Sequence, residues 1–198
     1  NFTYSNTAVT TVPPLLKELN IVSDAKIRAF CELYGYWLGN GSFEIATGKY
    51  PSVKGDVVLF HPATRMYVDF CKQRLSAVGL VEGLHYSEVC TDSRLKACLS
   101  IHEPKWARVF RAQYQRSFIK TSIATENCEA NTGMTHHREN QPQKLLWNWV
   151  WEMPKSHVRF ILEGLVLASG APNLNGEKIA HAYSVGLRDE IVAAALFS

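Results

Sequence analysis

Between residues 27 and 38 the side chains Ile27, Phe30, Cys31, Tyr34, Trp37 and Leu38 recur every three or four positions, the spacing of one face of an α-helix. Ser23-Asp24 supplies a capping start and Asn40-Gly41 a stop. Two short strand patterns follow, "SFEIATG" and "DVVLFH", joined by the turn-rich "KYPSVKG", and together they predict a hairpin. In "TRMYVDFCKQRLSAVG" the residues Val68, Cys71, Leu75 and Val78 share a helical face that stops at Gly79. A second hairpin is predicted from "HYSEVC" to "LKACLSI". Its last strand alternates, with Leu95, Ala97, Leu99 and Ile101 on one face and Lys96, Cys98 and Ser100 on the other. One side of that strand is expected to pack on helices and the other to face outward. "HEPKWARVFRAQY" predicts a helix with Pro104 in its first turn and Trp106, Val109 and Phe110 turned inward.

Residues 116–141 are polar and irregular and form the best linker candidate. Beyond them, "QKLLWNWVWEM" predicts a helix closed by Pro154, and "SHVRFILEGLVLAS" a helix closed by Gly170. A strand-like "EKIAHAYSV" then leads into a helix over "GLRDEIVAAALF". The pattern divides the chain into an irregular N-terminal segment (1–22), a first half (23–115), the linker (116–141) and a second half (142–198).

Interior glycine costs a helix roughly 1 kcal/mol against alanine, so Gly35 and Gly39 in one helix need a reason in packing. Sliding the chain by 129 residues supplies one. "LYGYWLGNG" at 33–41 falls on "LEGLVLASG" at 162–170, so that Gly35 meets Gly164, Gly39 meets Ala168 and Gly41 meets Gly170. A small-x-x-x-small face on each helix predicts that the two cross tightly along Gly35/Gly39 and Gly164/Ala168, about a pseudo-two-fold axis between similar halves. Each motif is followed by a strand-like segment and an amphipathic helix, which argues against chance similarity.

Composition narrows the class. A chain of 198 residues with 46% hydrophobic and 20% charged residues is expected to build one sizeable core, or two halves sharing one. No apolar run approaches the roughly 18 residues of a membrane span, so no membrane partner is expected and an intracellular setting is. The net charge of +3 permits a nucleic-acid partner without demanding one. Five cysteines without C-x-x-C spacing are expected to be buried free thiols.

The motif residues resemble the LAGLIDADG homing endonucleases, and more closely the form embedded in inteins. "YGYWLGNGSF" is similar to that family's first motif, with Asn40 where Asp is usual. "ILEGLVLASG" is similar to the second, with Ser169 in place of Asp, and "SVGLRDEIVAAAL" is similar to the segment that follows it. The resemblance implies an α+β fold of two αββαββα halves, the motif helices packed at the centre and the second half incomplete. It also implies double-stranded DNA as partner, read by curved sheets. Mg²⁺ would be held at the helix ends, and a host protein or intein splicing domain would lie outside this chain. Basic and polar residues at or near the hairpins, Lys49, Lys54, Arg94, Lys96 and Ser100, become the candidate DNA contacts.

Asn40 and Ser169 hold the catalytic and metal positions by this resemblance, and both are poor substitutes. Mg²⁺-assisted phosphodiester hydrolysis needs anionic oxygen ligands. Asn40 offers a neutral carbonyl and Ser169 a short hydroxyl, so cleavage is expected to be lost or impaired while DNA binding survives. One alternative is an active endonuclease that uses substitute ligands, with Glu44 and Asp56 as the nearest spare acids. Another is a structural or interaction relic without DNA binding. Only 28 residues follow Gly170, so the second half is expected to lack a hairpin and a helix. Neither terminus carries a splicing block, so the chain is not expected to splice.

Three other clusters carry weaker signals. Cys128 with His136-His137 lacks zinc-module spacing, and an exposed loop is expected there. Trp147, Trp149 and Trp151 are expected to pack beneath the second motif helix rather than to stack bases. Lys105, Arg108, Arg111, Arg116 and Lys120 suit either a phosphate-tracking path or a solvated face.

Overall fold

In the computed structural model the described residues are 12–44, 56–91, 96–111, 144, 146–169 and 185–198. The elements run α1 (Pro14–Glu18), α2 (Asp24–Asn40), β1 (Gly41–Glu44), β2 (Val57–Phe60), α3 (Arg65–Ala77), β3 (Tyr86–Thr91), β4 (Lys96–Ile101) and α4 (104–111). A 3₁₀ turn (Asn148–Glu152), α5 (Lys155–Ser169) and α6 (Val185–Phe197) complete the order. The fold is mixed α+β. One four-stranded antiparallel sheet has the order β1-β2-β4-β3, and helices pack against it.

α2 is the organising element. Ser23 caps it by accepting from the Lys26 amide. From Ala29 to Gly39 every residue is buried, so the helix has no solvent face along that stretch. α5 lies along one side of it, α3 and the sheet along another, and an aromatic group covers a third. A helix surrounded in this way needs small residues wherever a neighbouring backbone comes close.

The sheet's inner face presents Phe43, Val58, Phe60, Leu99 and Ile101 to the core. Its outer face differs from the expectation of an outward-facing strand. Cys98, at 5% exposure, is buried with Val57 and Leu59 in a second small apolar cluster. β2, whose continuous "VVLF" run is buried on both faces, contributes Val57 and Leu59 to that cluster.

Two further expectations are corrected. Within residues 1–22, Pro14–Glu18 form a short helix with Pro14 in its first turn, and Leu16 is fully buried. The segment "QKLLWNWVWEM" is not an α-helix. Trp147 is extended (φ −74°, ψ 148°) and only Asn148–Glu152 turn, as a 3₁₀ helix. On an α-helix Trp147 and Trp149 would point apart; the extended-then-3₁₀ path buries both. Their ring neighbours are aromatic. Trp147 lies 4.5 Å from Tyr34 and 4.9 Å from Phe110 between ring centroids, and Trp149 lies 5.7 Å from Phe30. Their aromatic partners lie on the first motif helix and α4, in the same core cluster as Val158, Ile161 and Leu165 of α5. The strand-like 177–184, the linker 116–141 and its Cys128, His136 and His137 lie outside the described residues.

Candidate functional site at the paired helix ends

α2 and α5 meet through their glycines. A methyl group added at Gly35 would overlap the Ile161 carbonyl and crowd the Leu165 amide. One added at Gly164 would overlap the Glu32 carbonyl and crowd the Tyr36 amide. Under the 129-residue offset Glu32 corresponds to Ile161 and Tyr36 to Leu165, so the contact is reciprocal, each glycine seating on the other helix at the equivalent place. The order of contacts also makes the helices parallel. A methyl on Gly39 would sit 2.7 Å from the Ala168 Cβ, which brings the ends at Asn40 and position 169 to the same end of the pair.

Beside the crossing, the buried Glu32 carboxylate accepts from Arg28 at 3.1 Å and from Arg74 of α3. Arg28 reaches across to α5, its guanidinium 4.5 Å from the Phe160 ring centroid. At the opposite end His157 of α5, itself buried, pairs with Asp24 of α2 at 3.0 Å. The two helices are therefore tied at their starts as well as along the glycine seam.

At its C-terminal end α2 passes directly into β1. The Asn40 carbonyl accepts from the His61 amide at 2.9 Å, and the Asn40 side-chain amide donates to the His61 carbonyl. His61 in turn meets Ser42, Nε2 to Oγ, at 2.8 Å. Trp37 donates its indole N–H to the Ser42 carbonyl at 3.0 Å. Burial holds the His61 imidazole below its ordinary pKa, and nearby Lys144 adds to this while Glu44 opposes it.

Lys144 enters this end from the far side of the linker. Its ammonium donates to the carbonyls of Trp37 (2.7 Å), Leu38 (3.2 Å) and Gly41, and lies 4.8 Å from the centroid of the Trp37 ring. Burial pushes its pKa down to about 7. The folded protein therefore sheds this proton well below the pH at which the unfolded chain does, and stability rises with pH above about 7. Above about pH 8.5 the buried Cys31, Cys71 and Cys98, whose pKa values burial raises, pull the other way, because the unfolded chain ionises its thiols first. Between these limits the gain is expected to reach about 2 kcal/mol. Chemical denaturation at stepped pH should show this rise in the native protein and a flat line in Lys144→Met.

Not every predicted residue comes to this place. Asn40 is half-buried in it; Ser169 is the last residue of α5, and its side chain lies outside the described set. Ser100 is half-buried in β4, paired with Leu59 and Ser87, and through Leu59 it shares a rung with Ser42. Lys96 begins β4 opposite Thr91; Lys49, Lys54 and Arg94 lie outside the described residues. Asp56 is engaged by Arg111 at 2.8 Å and Arg108 pairs with Glu18, so two of the basic α4 residues are already partnered. Ser42, His61 and Lys144 were missed. The register of the first hairpin was the signal for the first two, and Lys144 had none. Compared with known proteins, the sequence matches no family model and no curated protein.

Proposed function

We propose that this chain is a DNA-binding domain of the LAGLIDADG homing-endonuclease type, related to the forms embedded in inteins, with its metal-dependent cleavage centre disabled. The reciprocal seating of Gly35 and Gly164 carries the reading, because a parallel pair related by the 129-residue offset is what two fused, similar halves require at their shared axis. The sheet grows directly from the end of one of these helices, as a DNA-gripping arm would. Duplex contact falls to the hairpin cations Lys49, Lys54, Arg94 and Lys96, with Ser42, Ser87 and Ser100 on one rung of the outer face.

The residues at the helix ends do not fit Mg²⁺. The Asn40 amide donates to the His61 carbonyl, a bond that a carboxylate at that position has no proton to make, and Ser169 brings no charge. Among the described residues no group of three or more His, Cys, Asp or Glu side chains is placed to hold a metal ion.

Gel shifts on long duplex DNA are expected to show binding that weakens about tenfold or more between 50 and 200 mM salt. Supercoiled plasmid should stay intact in Mg²⁺. Absence of binding at low salt would refute the proposal. A second reading, a scaffold without DNA binding, draws on the buried apolar cluster of Val57, Leu59 and Cys98 in the middle of the outer sheet face. Charge reversal at Lys54, Arg94 and Lys96 separates the two, since only the DNA-binding reading expects affinity to fall.

A further inference from the structure

A cleft of about 180 Å³ lies where the end of α1, the start of α2, the end of α3, the turn before β3 and the start of α4 come together. Its floor is apolar, made by the buried side chains Leu19, Val78, Leu80 and Trp106. Its polar lining is short of partners. The Lys26 ammonium stands beside Gly79 and reaches one acceptor among the described residues, the Asn20 carbonyl at 3.4 Å. The Lys105 amide donates to the Glu103 carboxylate at 3.5 Å, while the Lys105 ammonium has no partner among the described residues. His85 accepts at Nδ1 from the Val81 amide at 2.9 Å, which leaves the ring proton on Nε2 as a further donor. Elsewhere the cations are taken up: Arg28, Arg65, Lys72, Arg74, Arg108 and Arg111 all pair with carboxylates.

We propose that this cleft binds a small organic monocarboxylate whose apolar body is about the size of one ring. Volume sets the size: a cavity of about 150 Å³ admits benzene, so this one has room for a ring and a carboxylate. Charge sets the valence. The ammoniums of Lys26 and Lys105 against the single carboxylate of Glu103 leave one positive charge in the lining, which one carboxylate neutralises. Phosphate or a dicarboxylate would bring a second negative charge up to Glu103. The floor of Leu19, Val78, Leu80 and Trp106 favours an apolar body, which a bare inorganic anion lacks. Lys26 starts α2 and Asn40 ends it, so the cleft lies about 20 Å along the helix axis from the paired helix ends. A ligand there leaves those ends and the sheet open, and the inference stands or falls separately from the DNA-binding reading.

The test titrates phenylacetate into the native protein and follows it by NMR, with phenylacetamide and inorganic phosphate as controls. Phenylacetate is expected to bind saturably with a Kd of about 1 mM. It should shift the resonances of Leu80, His85 and Trp106 and leave those of Asn40 and His61 in place. Phenylacetamide has the body without the charge and phosphate the charge without the body, so each should bind about tenfold more weakly or worse. Lys26→Met and Lys105→Met should each weaken phenylacetate about fivefold or more, and Arg159→Met on α5 should leave it unchanged. If a lysine variant fails to fold, the shift map and the two control ligands still decide. No saturable phenylacetate binding below about 10 mM would overturn the site. So would equal binding of either control, shifts centred away from the cleft, or full affinity in either folded lysine variant.

Discussion

Gly164→Ala is expected to destabilise the protein by about 3 kcal/mol or more, although alanine is the better helix former. At an exposed helical position the same change would stabilise by about 1 kcal/mol, so the sign alone is informative. The added methyl would overlap the Glu32 carbonyl and lie within 3.0 Å of the Tyr36 amide, and both are backbone atoms of a helix buried on every side. Neither can yield unless the two helices part, and parting them opens the whole seam. Gly35→Ala should behave alike, because its methyl meets the Ile161 carbonyl. Gly39→Ala is milder: it meets a side-chain methyl at 2.7 Å, and Ala168→Gly in the same chain should return most of the loss. Urea unfolding of the four variants measures the set, and a stabilised Gly164→Ala would refute the close crossing.

Trp147→Ala comes next in size, with an expected loss of about 3–5 kcal/mol. Its ring is buried against Tyr34, Trp37, Phe110 and Trp149, so truncation empties the space between the first motif helix and α4. The Trp147 amide keeps its bond to Tyr34, because that bond is made by the backbone. Trp151→Ala provides the contrast. That side chain is 38% exposed, and its loss should cost under about 1 kcal/mol. Thermal unfolding of the pair reads the difference directly. Equal losses would mean that the 3₁₀ turn does not orient the three rings as described.

Much of the architecture could be read from the sequence, because each element carries its own signal. The 3.6-residue period of Ile27 to Leu38, the Asn40-Gly41 stop and the alternation of β4 each fix a segment locally, and the structure builds helices and strands on them. The failures share a cause: they depend on what a distant segment does. "WNWVW" satisfies a helical propensity that tertiary burial overrides, since two indoles two residues apart must both reach the interior. Cys98 follows the strand alternation outward and is still buried, in a cluster with Val57 and Leu59 of β2 that the alternation alone does not announce. The site was half legible. Position 40 could be named from the motif, but its amide clasp on His61 exists only once β2 is paired with β1. Lys144 was not legible, since a single lysine at the end of a polar stretch looks like any surface cation until its three carbonyl partners are in place.

The parallel sense of α2 and α5 has an electrical consequence. Peptide dipoles in a helix sum to roughly half a negative charge at the C-terminal end, and here two such poles lie at the same end of the pair. An anion approaching Asn40 and position 169 therefore climbs a repulsive potential set by the main chain itself. Lys144, donating to the last carbonyls of α2, cancels part of one pole, so the cation and the helix end act as a single neutralised unit.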